Sequence, residues 1–212
     1  SLLGKGHVHP VSSIALAELS KVVENSFRGY NIAFANSLAL ICERAGLDVI
    51  ELLAASATKP FAFMAHFPSR GWGGHCIPKD TKFLECFAQD LGLPTELFRA
   101  AIEQNERMPF HVIDRLKQAL KEVGMPLRAS RIVVLGLAYK PEIDDTRETP
   151  AIPIIKELFA QGANVGVYDP FVKTHQEILS SLFATSREQA LQGADAVILC
   201  TAHAALKQGL ME

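Results

Sequence analysis

No stretch of this 212-residue chain is apolar for long enough to cross a bilayer. The longest such run, Ile32 to Cys42, is interrupted by Asn36 and Ser37. Charge of one sign does not accumulate either: 21 Lys and Arg stand against 23 Asp and Glu, a net charge of −2, so the basic footprint of a nucleic-acid binder is missing. Cysteine occurs only four times, with no CxxC pair, and no two histidines have HxxxH spacing, so a zinc site is not expected. The first residues do not read as a signal peptide, and the start at Ser1 instead of Met reads as a cut or engineered end. Without an export signal the expected location is the reducing cytoplasm, where disulfides are not expected. What remains is the composition of an ordinary globular protein, 49 % hydrophobic and 21 % charged.

Apolar residues recur at steps of three and four from Ser12 to Arg44: Leu16, Leu19, Val23, Phe27, Tyr30, Phe34, Leu38 and Ile41. That is one long helix, amphipathic in its first half. Its second half adds Ile32, Ala33, Ala35, Ala39 and Leu40 on other faces and should be buried nearly all round, in part by another subunit. Gly46 ends it, and Asp48 opens a short helix. Between Ala57 and Pro78 prolines and glycines punctuate a loop of about twenty residues, a length that is usually functional or disordered. Helices resume at 78–89 and 95–123. After Gly124-Met125-Pro126 the period changes. Arg131–Leu135, Asn164–Tyr168 and Ala194–Cys200 read as strands separated by helical segments, which gives a parallel, Rossmann-like sheet. The expected architecture is therefore α/β: an all-helical domain over 1–125 and a sheet domain over 126–212, the latter C-terminally truncated because three strands make a small parallel sheet.

Three constellations could carry chemistry. In Gly71-Trp72-Gly73-Gly74-His75-Cys76-Ile77-Pro78-Lys79-Asp80, Pro78 suits a first helical turn, which puts Cys76 at a helix N-terminus where exposed N–H donors favour a thiolate. The glycines before it permit close approach to a ligand. Cys42, Cys86 and Cys200 lie in apolar runs and read as small buried hydrophobes. In Glu18-Leu19-Ser20-Lys21-Val22-Val23-Glu24-Asn25, the residues Glu18, Lys21 and Asn25 share one helix face. Lys21 and Asn25 together could donate to an oxyanion, or the face could be a solvated one with Glu–Lys pairing. Gly136-Leu137-Ala138-Tyr139-Lys140-Pro141 ends the first strand, where α/β sheets bind ligands, but the GxGxxG dinucleotide fingerprint is absent. Lys140 there could meet a phosphate or lie free on the surface. Asp145 and Arg147 could simply pair with each other.

Taken in order, these blocks resemble the UDP-glucose/GDP-mannose dehydrogenase family of nucleotide-sugar 6-dehydrogenases. Tyr168-Asp169-Pro170 and Ala194-Asp195 with Thr201-Ala202-His203 extend the likeness across almost the whole chain. The resemblance implies the central helical domain and the UDP-binding domain, with the NAD-binding N-terminal domain missing. It implies two NAD-dependent oxidations of a sugar C6 alcohol to a carboxylate. Cys76 would attack the intermediate aldehyde, Lys21 and Asn25 would stabilise oxyanions, and Asp80 would position or activate water. Gly73, Tyr139 and Lys140 would hold the UDP-sugar, and the long helix would build a homodimer. Gly74-His75-Cys76-Ile77-Pro78 resembles the UDP-N-acetylhexosamine branch, whereas Lys79-Asp80-Thr81-Lys82 resembles the UDP-glucose branch. The competing reading is a UDP-sugar-binding or dimerisation module without catalysis.

Overall fold

A computed structural model describes residues 8–207. Helix α1 spans Ile14–Ala45, about 48 Å at 1.5 Å per residue. Ser13 caps it by accepting from the Leu16 N–H, and Gly46 closes it in the left-handed conformation. Helix α2 (Val49–Ser56) is capped by Asp48, α3 spans Cys76–Asp90 and α4 spans Glu96–Glu122. Both α3 and α4 pack against α1.

The α1–α3 crossing is tight. A Cβ on Gly29 would stand 3.0 Å from Thr81 Oγ1 and 3.2 Å from Ile77 Cγ2. The buried faces of α1 carry Ser26, Gly29, Ala33, Ala35, Asn36 and Cys42. Phe27, Phe34 and Ile41 stay 48 %, 57 % and 61 % exposed, so the second half of α1 is not buried all round within one chain. Seven-residue spacing stacks these three on a single stripe, which the chain's own helices leave uncovered.

Three parallel strands follow in the order β2-β1-β3: β1 Arg131–Leu135, β2 Asn164–Tyr168 and β3 Ala196–Leu199. Helix α5 (Ala151–Ala160) connects β1 to β2. A 3₁₀ turn (Ser180–Leu182) and α6 (Arg187–Leu191) lead to β3, and α7 (Ala204–Lys207) comes after it. The registers align Leu135 with both Tyr168 and Leu199, so all three strands end at one level.

The expected division at 125/126 falls in a loop, yet the core runs across it. Ile113, Leu116 and Leu120 of α4 pack in one cluster with Ile132, Val134, Ile154, Ile155 and Leu158 of the sheet half. A smaller cluster of Val133, Leu135, Ala190 and Leu206 covers the other face. A parallel sheet needs both covers.

Asp169, just past β2 and 1 % exposed, ties the strand ends together. Its Oδ2 accepts from the Leu137 N–H at 2.6 Å, the Ala138 N–H at 3.1 Å and His203 Nε2 at 3.1 Å. Its Oδ1 accepts from the Phe171 and Val172 N–H groups. The Glu142 N–H donates to His203 Nδ1, so the imidazole proton sits on Nε2 and points at the carboxylate. Burial alone would raise the Asp169 pKa, but the four backbone donors outweigh it and the net shift is downward.

A depressed carboxyl pKa contributes stability that is complete above the unfolded value, about 3.9, and is lost as pH falls through the lower folded value. Asp169→Asn should cost about 3 kcal/mol at pH 7, because an amide cannot accept from every donor aimed at it. The difference from the parent, read from urea midpoints, should shrink as pH falls below about 4. An equal difference at pH 7 and pH 3 would contradict this account.

Candidate active site at the glycine loop

The loop from Ala57 to His75 passes between α1, α4 and the sheet. Its last turns are held by two asparagines. Asn36 Oδ1 on α1 accepts from the Ser69 N–H at 2.7 Å, and Asn105 Oδ1 on α4 accepts from the Trp72 N–H at 2.6 Å. Pro109 lies inside α4 and lacks the N–H that the Asn105 carbonyl would otherwise bind; that carbonyl faces Gly71 instead.

The loop reaches the sheet half without side chains in the way. A Cβ on Gly73 would stand 2.7 Å from the Glu148 carbonyl oxygen and 2.9 Å from Tyr139 Cβ, and one on Gly74 would strike the Tyr139 ring at 2.7 Å. The Gly74 N–H donates to the Arg147 carbonyl at 2.9 Å.

Cys76 is exposed and is the first residue of α3, at the helix N-terminus. Pro78 sits third in the helix, still among the positions whose N–H has no intrahelical acceptor. Asp80, one turn further, accepts from Asn25 Nδ2 at 2.5 Å across the α1–α3 crossing. Lys21 Nζ lies 3.4 Å from Asn25 Oδ1 and 3.3 Å from Glu24 Oε2, so the lysine pairs with Glu24 rather than Glu18. Lys21, Asn25 and Asp80 thus form one hydrogen-bonded chain. Cys76 shares the helix of Asp80 at i,i+4 spacing but bonds to none of them directly.

Tyr139 is half-buried under Gly74, and the exposed Lys140 has its Nζ 5.6 Å above the Tyr139 ring centroid. Arg147 chelates Asp145 through Nε and Nη2. That pairing lowers the Asp145 pKa and raises that of Arg147, to which Tyr139 and Cys76 add smaller contributions. The exposed cations Lys140 and Arg147 therefore flank the loop that ends in Cys76. A separate cleft of about 380 Å³ lies behind the loop, lined among others by Trp72, Pro78, Asn105, Phe110 and Pro150; it holds none of the expected residues.

One cysteine reading changes. Cys42 and Cys200 are buried as expected, but Cys86 is exposed: the second half of α3 turns it outward beside Phe83 and Phe87, which are also uncovered. Asn36, Arg70 and Asn105 escaped notice because their partners lie 33 to 131 residues away, with no local spacing to reveal them.

A dinucleotide does not fit the turn after β1. In such sites free amides at a helix N-terminus meet the pyrophosphate. Here the Leu137 and Ala138 amides are taken by Asp169, and the next helix begins only at Ala151. Gly136, at φ +84°, is packed so closely on Thr201 that a Cβ would stand 2.3 Å from the Thr201 carbonyl oxygen.

Residues 15–107 match the central domain, and residues 133–212 the UDP binding domain, of the UDP-glucose/GDP-mannose dehydrogenase family. The UDP-N-acetyl-D-mannosamine dehydrogenase of Pyrococcus horikoshii is 37 % identical over 96 % of this chain and 46 % of its own length. The UDP-N-acetyl-D-glucosamine 6-dehydrogenase of Pseudomonas aeruginosa is 34 % identical over 94 % of the chain and 47 % of its own. Among solved structures, the NDP-N-acetyl-D-galactosaminuronic acid dehydrogenase of Methanosarcina mazei superposes with a TM-score of 0.81 at 30 % identity, covering 91 % of this chain and 42 % of that one. The chain therefore spans about half the length of the relatives it matches.

Gly73→Ala should push the loop off the Glu148 carbonyl and cost about 2 kcal/mol, the scale of an overpacked contact that backbone must relieve. A urea midpoint equal to the parent's would show that the loop does not seat where the contact puts it.

Proposed function

The chain belongs to the UDP-glucose/GDP-mannose dehydrogenase family, and from that premise we propose that it is the catalytic and UDP-binding portion of an NAD-dependent UDP-sugar 6-dehydrogenase. The observation that carries this reading is the hydrogen-bonded chain Lys21–Asn25–Asp80, one helical turn from an exposed Cys76 and across the glycine loop from Tyr139 and Lys140. The relatives' names favour a UDP-N-acetylhexosamine as substrate. The division of labour follows the expected domains, helices to residue 125 for chemistry and the sheet from 126 for the nucleotide.

Tyr139 and Lys140 hold the nucleotide-sugar, the lysine as a point charge for the diphosphate. When bound, NAD would accept the hydride; the turn after β1, whose amides Asp169 already occupies, offers it no site, so another part of the enzyme would hold it. The residues of this chain handle the carbonyl carbon. The Cys76 thiolate adds to the C6 aldehyde: a carbon–sulfur bond forms and the carbonyl electron pair moves to oxygen. Lys21 and the second N–H of the Asn25 amide, the first being bonded to Asp80, stabilise that oxyanion. After oxidation to the thioester, Asp80 takes a proton from water as it attacks. The carbon–sulfur bond then breaks to release carboxylate and thiol.

Dimerisation belongs to the same reading. The stripe of Phe27, Phe34 and Ile41 on α1 is the surface a second copy would cover. Phe34→Asp should shift the sedimentation coefficient from that of a dimer to that of a monomer; a parent chain that sediments as a monomer would sink this part.

Calorimetry with UDP and UDP-N-acetylmannosamine tests the binding half. Saturable binding is expected, and Lys140→Ala should weaken it about tenfold, the loss of one charge-assisted phosphate contact. Cys76→Ala should leave that affinity unchanged and, in the intact enzyme, abolish uronate formation. Normal acid production by Cys76→Ala would show that Cys76 is not the nucleophile.

A further inference from the structure

Arg70 enters none of the steps above, yet it is the charged group that runs from the cysteine loop into the sheet half. Its Nη2 donates to Thr201 Oγ1 at 2.6 Å and lies 3.4 Å from the Tyr139 carbonyl oxygen. The Thr201 hydroxyl passes the link on by donating to the Ala138 carbonyl. One guanidinium thereby grips Thr201, two residues past β3, and the turn after β1 together.

The position is an expensive one for a cation. Burial lowers the Arg70 pKa from its ordinary value. Burial raises the Cys200 pKa to about 11, so that thiol is neutral at physiological pH and supplies no counter-charge. Arg70 Nε is buried without an acceptor. A desolvated cation with an unmatched donor is poor stabilisation, and an apolar side chain of like size would serve a purely structural role at least as well. What it does provide is geometry: Asn36 and Asn105 hold the loop to the helices, whereas Arg70 holds it to the turn that carries Tyr139 and Lys140.

We propose that Arg70 is a positioning residue that latches the cysteine loop to the turn at 138–140, so that a UDP-sugar anchored on Tyr139 and Lys140 reaches Cys76. The reach to Cys76 rests on the functional reading above; the latch itself does not.

Two measurements on Arg70→Met, Arg70→Lys and the parent chain separate the two. The first uses no ligand. Amide hydrogen exchange at Gly74 and Tyr139, bonded to the Arg147 and Asp145 carbonyls, should accelerate about tenfold in Arg70→Met, while Leu137, held by Asp169, should not change. Arg70→Lys, which keeps a charged donor nitrogen, should restore slow exchange. Unchanged exchange at Gly74 and Tyr139 in Arg70→Met overturns the latch.

The second measures alkylation by iodoacetamide, site by site, with exposed Cys86 as internal reference. Saturating UDP-N-acetylmannosamine should slow Cys76 about tenfold in the parent, since a well-populated bound state shields the thiol in proportion to its occupancy. In Arg70→Met the ligand should still bind but protect Cys76 less than about twofold, with Arg70→Lys recovering protection. Full protection in Arg70→Met overturns the proposal. If the parent's Cys76 is not protected at all, the functional reading fails, and the exchange data decide the latch alone. Should Arg70→Met not fold, Thr201→Val removes the acceptor and is read in the same way.

Discussion

The crossing of α1 and α3 at Gly29 is the contact on which the site depends. With no side chain there, Thr81 and Ile77 come to van der Waals distance of the α1 backbone. One turn earlier on α1 stands Asn25, and next to Thr81 stands Asp80, so the close approach at one level sets the hydrogen bond at the next. Lys21, Asn25, Gly29, Ala33 and Asn36 follow one another at steps of four, four, four and three, down a single face. That face supplies in turn a cation, an amide, a packing surface and the anchor for Ser69. The apolar stripe of Phe27, Phe34 and Ile41 occupies a different face, so one helix organises a polar site and an uncovered surface without conflict.

At the sheet, a single carboxylate decides what kind of ligand the strand ends can take. Asp169 uses the amides that a dinucleotide-binding turn would leave open and fixes the His203 tautomer in the same stroke. Negative charge is thereby placed inside the turn instead of being awaited from a ligand. Attraction for an anion is left to side chains outside it, Lys140 over the Tyr139 ring and Arg147 beside Asp145. Such cations on a half-exposed rim are placed to meet an anion that stays partly in solvent.

Much of the architecture was legible because its signals are local. The three-four periodicity of α1, the caps at Ser13 and Asp48 and the β-branched runs of β1 and β2 all lie within a few residues of what they specify. The ordered blocks around Lys21, Cys76 and Tyr139 were legible for the same reason. Cys86 was misread because its neighbours are apolar, and only tertiary packing reveals that the end of α3 faces outward. Arg70, Asn36 and Asn105 act over long sequence separations, where a single sequence offers no periodicity to follow. The dual membership of α4 was hidden too: its pattern is amphipathic throughout, and nothing local says that its first half faces α1 while its second half enters the sheet core.

That shared helix limits how the molecule can move. Ile113, Leu116 and Leu120 are packed among β1 and α5 residues that are themselves fully or almost fully buried. Hinging the helical half against the sheet half would pull those side chains out of a close-packed core, at a cost of about 2–5 kcal/mol for each large residue uncovered. Interfaces of that kind switch between packings rather than flex. Whatever opens the site to a substrate must therefore spare α4. The elements left to move are those held by single polar contacts, the loop of 57–75 with its two asparagines and one arginine, and the turn of 139–150 on which it rests. The loop carries glycine at their mutual contact, and neither contributes to the main core beyond Ile143. Rigidity in α4 and looseness in the loop are complementary: the first keeps the turn of 139–150 and α1 in register, and the second lets the segment leading into Cys76 adjust, as the proposed addition to a planar carbon would require.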